Sequence, residues 1–92
     1  MEYKFNEDKS TMIITTKSII QKTKDILIVS HDEDDGMWEF LDGMDVKEEN
    51  GAIVSIWEIV GIDNSVNELF DLPEGWIAYR ENKNARWIRE KN

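Results

Sequence analysis

The chain predicts a single small α+β domain, a mostly antiparallel sheet with short helices packed on one face. Three observations carry that prediction. Ninety-two residues, 40% hydrophobic and 34% charged, are enough for one modest core and no second one. Short apolar segments rich in β-branched side chains recur along the chain, with the length of strands rather than helices. Between them lie helix-capping residues and one strong hairpin signal, giving the order β-α-β-β-loop-β-α-α-β-β.

Residues 1–11 read as a polar lead-in, in which Tyr3 and Phe5 alternate as in a short edge strand or in no stable element; the domain proper is expected over 12–92. Met12-Ile13-Ile14-Thr15-Thr16 is β-branched and apolar, hence a strand. Thr16 is placed to cap a short helix over Lys17–Lys22 that turns Ile19 and Ile20 inward. The stretch Ile26–Leu41 organises the rest. Its first arm, Ile26-Leu27-Ile28-Val29, is apolar without polar alternation, which predicts a central strand covered on both faces. Its second arm, Met37–Leu41, puts Trp38 and Phe40 on one face and Met37, Glu39 and Leu41 on the other. Asp32-Glu33-Asp34-Asp35-Gly36 joins the arms. Asp-Gly favours a tight turn, and four consecutive acids cannot be buried unpaired, so the tip must face water.

Asp42–Gly51 is polar and bounded by turn signals, so a loop is expected there. Ala52-Ile53-Val54 is a short strand. Ser55-Ile56-Trp57-Glu58 fits the Ser-x-x-Glu capping box and starts a helix with Ile56, Ile59 and Val60 inward, stopped by Gly61. Asp63 can cap a second short helix with Val66, Leu69 and Phe70 on one face, ended before Pro73. Trp76–Arg80 and Ala85–Arg89 read as two final strands joined through the Asn82-Lys83-Asn84 turn.

Composition excludes several functions. The chain has no cysteine, so it has neither a disulfide framework nor a thiolate zinc site. Its polar start is not a signal peptide, and no apolar run approaches the roughly 20 residues of a membrane span, so a cytoplasmic location and no membrane partner are expected. The net charge is −9 and uneven. Between His31 and Glu74 there are fourteen acids and one Lys, whereas Arg80–Lys91 carries five bases and two acids. The central field repels phosphate backbones and favours a cation or a basic protein, which argues against a nucleic-acid partner.

His31 beside Asp32, Glu33, Asp34 and Asp35 is the most chemical-looking cluster, able in principle to serve as metal ligands or a general base. The calcium-loop pattern fails there: with Gly36 sixth, His31 falls where Asp is required and Asp42 where Glu is expected. His31 is the single His of the chain, so a typical zinc site has no second imidazole. A solvated turn is the plainer reading, and neither a metal nor a cofactor is expected. Trp38, Trp57, Trp76 and Trp87 read as core, with Trp57 the candidate for exposure at an interface. Arg80, Arg86 and Arg89 can grip an anion, but pairing with the chain's own acids is the simpler account. No catalytic group is assigned: there is no Gly-x-Ser-x-Gly, and Ser30 and His31, as strand neighbours, point to opposite faces.

Ile14-Thr15-Thr16, then Ser30-His31-Asp32-Glu33 with Gly36-x-Trp38-x-Phe40-Leu41, Val54-Ser55 before a helix, and Asp71-Leu72-Pro73-x-Gly75-Trp76-x-Ala78-x-Arg80, resemble a family of small bacterial domains of unknown function. Some relatives in that family are grouped with immunity proteins of toxin systems. The resemblance spans about residues 12 to 89 and implies a bacterial cytoplasmic protein with no assigned active site. The sequence thus leads to a non-enzymatic interaction module that meets a basic partner through its acidic middle, roughly His31–Glu49. The interaction-surface candidates are His31, Asp32, Glu33, Asp34, Asp35, Trp57, Arg80 and Arg86. The alternative is a small enzyme or divalent-cation protein built on His31 and the adjacent carboxylates. A monomer or a homodimer, the latter through an exposed edge strand, is expected.

Overall fold

The computed structural model describes residues 2–43 and 45–92. Strands β1 (Met12–Thr16), β2 (Ile28–His31), β3 (Trp38–Leu41), β4 (Gly51–Ser55), β5 (Trp76–Tyr79) and β6 (Ile88–Lys91) form one sheet in the order β4-β1-β3-β2-β5-β6. Helix α1 (Lys17–Ile20) follows β1, and α2 (Ile56–Ile62) follows β4. Two 3₁₀ turns lie at Glu48–Asn50 and Asn64–Leu69. Only β1 and β3 run parallel; the other pairings among the described residues are antiparallel. The architecture is α+β with a mostly antiparallel sheet, as the residue pattern predicts.

Register explains which residues are covered. Cross-strand partners share a face, so Val29, Phe40 and Ala78 stand together, as do His31, Trp38 and Trp76. With Ile13 they form the covered side, packed under Ile19 of α1, Ile56, Ile59 and Val60 of α2, and Val66, Leu69 and Leu72 beyond. The opposite parity carries Met12, Ile14, Ile28, Leu41, Ile53, Ile77, Tyr79 and Ile88, none of them buried. This corrects the expectation that the Ile26–Val29 run is covered on both faces. Ile26 is buried just ahead of β2, but Ile28 lies on the open face and is half-buried.

Local chemistry sets the helix starts. The Thr16 hydroxyl accepts from the Ile19 N–H, and the Ser55 hydroxyl from the Glu58 N–H, each satisfying a donor that the first turn leaves free. Gly61 does not end α2. The Asp63 N–H still bonds the Ile59 carbonyl at 3.0 Å, and the helix closes where Asp63 turns extended and its carboxylate caps the next turn. A glycine inside a helix costs only about 1 kcal/mol, which burial of Ile59 and Val60 outweighs. The second helix is 3₁₀, so Val66 and Leu69, three apart, share the inner face, while Phe70 rotates out to 39% exposure. The last strand begins at Ile88 rather than Ala85, because Trp87 leaves the sheet to lie against Arg80.

Residues 2–11 form neither strand nor helix, yet they are not a loose lead-in. Phe5 is buried and meets Trp38 and Phe40 edge-on at 5.1 and 6.3 Å. Tyr3 packs on Trp57, and the Glu7 carboxylate accepts the Trp38 indole N–H at 2.8 Å. The segment closes one side of the core. No helix among the described residues is long and apolar enough to cross a membrane.

Candidate functional site

The acidic turn stands where β2 ends and β3 begins, and two of its four acids hold it in shape. Asp32 Oδ1 accepts the Asp34 N–H at 2.7 Å, and Asp35 Oδ1 accepts the Met37 N–H at 2.9 Å. The Asp32 N–H bonds the Met37 carbonyl, closing the hairpin. Glu33 and Asp34 serve no such bond and are exposed. Gly36 adopts φ 71°, a left-handed geometry that glycine accepts without strain.

A second turn, around Gly75, packs against the first. The Gly75 N–H bonds the His31 carbonyl at 2.7 Å. A side chain on Gly36 would meet the Glu74 carboxylate at 3.0 Å, and one on Gly75 would meet that of Glu33 at 3.1 Å. Each glycine thus makes room for the glutamate of the other turn. Glu74 joins Asp32–Asp35 in one acidic patch. Nothing in the sequence marks it as a member, because it lies beyond two helical turns and a proline.

Among the candidates at the turn, His31 is the most constrained. A carbonyl can only accept, so its contact of 2.8 Å with the Leu72 carbonyl makes Nδ1 the protonated nitrogen. Its ring stacks on Trp38 at 4.0 Å, inclined by 15°. His31 therefore ties β2 to the Leu72 turn. Ser30 lies on the open face opposite Glu39 and Ile77, turned away from His31 as strand alternation requires. Among the described residues no three His or carboxylate groups converge in a metal-binding arrangement.

The acidic middle is continuous in sequence but not in space. β3 runs away from the turn, so Asp42, Asp45, Glu48 and Glu49 fall at the far end of the sheet, where Lys24 and Lys47 line the same cleft. The expected single surface from His31 to Glu49 therefore divides in two, with basic residues mixed into the far half. Around the turn the balance differs: among the described residues, the cleft lined by Asp32, Glu33 and Asp34 has no Lys or Arg in its wall. The ion pairs among the described residues join Arg80 to Asp63 and Arg89 to Asp71; none reaches Asp32–Asp35 or Glu74.

The remaining candidates lie elsewhere. Trp57 is half-buried, with the Lys9 ammonium 4.2 Å from its ring centre and Tyr3 against its edge. Of the four tryptophans only Trp38 is core; Trp76 and Trp87 are half-buried and pack against the core, and Trp57 is half-buried beside Tyr3. Arg80 is interior. Its guanidinium donates to Ile26 O, Ser65 Oγ, Lys83 O and Asp63 Oδ2, and stacks on Trp87 at 4.1 Å. It pairs with the chain's own acid, as the simpler account has it, and leaves no edge for an outside anion. Burial alone would raise the Asp63 pKa, but hydrogen bonds from Ser65 and Arg80 outweigh it and hold the carboxyl below its ordinary value. Arg86 is exposed beside a shallow groove with Asn84 and Arg89, away from the acidic turn.

The geometry thus brings His31 and Asp32–Asp35 together, adds Glu74, and separates them from Trp57, Arg80 and Arg86. What it offers is a water-facing surface of carboxylates on a hydrogen-bonded turn, suited to cationic groups. No protein-family model, no curated protein and no solved structure matches this chain.

Proposed function

We propose that this protein is a non-enzymatic interaction module that docks a basic protein partner on the patch formed by Asp32–Asp35 and Glu74. The observation that carries this reading is that, among the described residues, the cleft beside Asp32, Glu33 and Asp34 is lined by no Lys or Arg, and no ion pair reaches these acids or Glu74. Five carboxylates held on two interlocked turns repel one another, which costs the fold stability. Clustered like charge of this kind is what a partner of opposite charge requires for rapid, selective encounter. The reading agrees with the resemblance to domains grouped with immunity proteins, for which a cationic toxin surface would be the partner. His31 enters it only as a structural tie between β2 and the Leu72 turn, while Asp32 and Asp35 hold the docking turn in shape.

The test uses charge without shape. Asp32→Asn and Asp35→Asn keep the side-chain oxygen that accepts the turn's N–H groups, and Glu33→Gln and Asp34→Asn touch no such bond. Capture of a partner from bacterial extract should succeed for the natural chain at about 50 mM salt and fail at about 500 mM, where the screening length falls to a few Å. The fourfold neutral variant should capture it at neither. Retention that ignores both salt and substitution would contradict the proposal.

A further inference from the structure

We infer that the outer edge of β4 pairs with β4 of a second copy of this chain, antiparallel and centred on Ile53, so that two sheets become one. This seam is separate from the acidic patch and does not depend on it.

The hydrogen-bond phase of β4 comes from its neighbour. The Ile56 N–H bonds the Thr11 carbonyl at 2.8 Å, and the β1–β4 register then turns Val54 and Ala52 toward β1. In an antiparallel ladder the alternate residues face the other way, so the N–H groups of Ile53 and Ser55 and the carbonyls of Gly51 and Ile53 point off the sheet. β4 is terminal in the strand order, and among the described residues no hydrogen bond reaches those two N–H groups.

The two edges of the sheet differ in protection. β6 carries Arg89, Glu90 and Lys91, the kind of charge that keeps an edge from pairing. β4 reads Gly-Ala-Ile-Val-Ser, with no charge and no proline. On the open face beside it stand Ile53 at 65% exposure and Met12 at 50%.

The occupant follows from symmetry. The β4 strand itself is uncharged, but Glu48 and Glu58 flank it and face one another at both ends of the seam, so two copies of net charge −9 repel there. The edge is complementary to itself. With Ile53 opposite Ile53, each Ile53 N–H faces the other Ile53 carbonyl, and each Ser55 N–H faces a Gly51 carbonyl. The Gly51 N–H is already bonded to Glu48 O and asks for nothing. The pairing is isologous and closes as a dimer. A seam one strand wide falls well below the roughly 800 Å² per partner of a standard interface, so the dimer is weak. Salt should strengthen it by screening the repulsion between copies, the opposite of its effect on a basic partner.

Sedimentation of the full chain from about 10 μM to about 1 mM, at about 50 and 500 mM salt, reads the association, and amide exchange locates it. The expected result is a dimer that grows with concentration and with salt, while exchange at Ile53 and Ser55 slows in parallel. Ile53→Lys, at an exposed position, should weaken it by at least about tenfold by setting like charges face to face. Ile88→Lys, on the same face at the other edge, should change it by less than about twofold. A monomer under all conditions, a dimer broken by Ile88→Lys and not by Ile53→Lys, or unchanged exchange at Ile53 and Ser55 would overturn the assignment. Each of these outcomes leaves the acidic-patch reading untouched.

Discussion

At the scale of single residues, the Asp63–Arg80 pair is costly to break. Arg80 is 2% exposed at its side chain and Asp63 22%, so removing the carboxylate strands a buried cation. Asp63→Ala should destabilise the protein by about 3–5 kcal/mol in urea unfolding, a large share of the 5–15 kcal/mol typical of a domain. The folded Asp63 pKa lies below its ordinary 3.8, so its contribution is present above that value and lost as pH falls through the lower folded pKa. Asp63→Asn should therefore be less stable at neutral pH and should lack this part of the acid loss below pH 3.8. His31 gives a second residue-scale prediction. His31→Ala forfeits one hydrogen bond and one stacked ring, about 1–2 kcal/mol together, and should leave the salt dependence of partner capture unchanged. Had His31 been a ligand or a base, capture or a cation response would change instead. The capping roles of Thr16, Ser55 and Asp63 are legible in the sequence because the groups they satisfy lie two or three residues away. Arg80 in the interior is not, since its carboxylate partner is 17 residues upstream and no local pattern encodes that contact.

At the scale of elements, the N-terminal segment was the least legible part. Its residues look polar, and only Tyr3 and Phe5 hint at burial. Neither strand nor helix periodicity describes a chain that docks irregularly by inserting one aromatic. Phe5 nevertheless fills a space bounded by Trp38 and Phe40. Phe5→Ala should cost about 3–4 kcal/mol and shift the emission of Trp38, whose indole N–H is held by Glu7 of the same segment. The strands were easier, because β1, β3 and β4 show the residue types and alternation that a one-sided sheet demands. β2 misled through its apolar run, which describes a two-sided environment that the isolated chain supplies only in half. The proposed β4 seam completes an edge of that sheet and leaves its open face accessible. The 3₁₀ turn over Asn64–Leu69 misplaced Phe70 because an i, i+4 pattern assumes 3.6 residues per turn, and this segment winds with three.

At the scale of the molecule, charge decides. The count of fourteen acids against one Lys in the middle of the chain is plain from the sequence, but the division of nine of them between two ends of β3, five at the turn end and four at the far end, is not. Only the topology shows that Asp45–Glu49 lies with Lys24 while Asp32–Asp35 lies with Glu74. The site therefore narrows to the turn end, and two effects of salt follow with opposite signs: weaker capture of a basic partner and stronger pairing of like copies. The repulsion within the patch has a consequence for stability. Replacing Asp34 and Glu33 by their amides should stabilise the fold by a few tenths of a kcal/mol at low salt and by nothing measurable at high salt, as denaturant midpoints would report. The measurement that bears most directly on the patch is the affinity of the captured partner across a salt series, for the natural chain and for the variant neutral at residues 32 to 35. A steep salt dependence that the variant largely abolishes is the predicted result, and equal affinities at every salt concentration would contradict it.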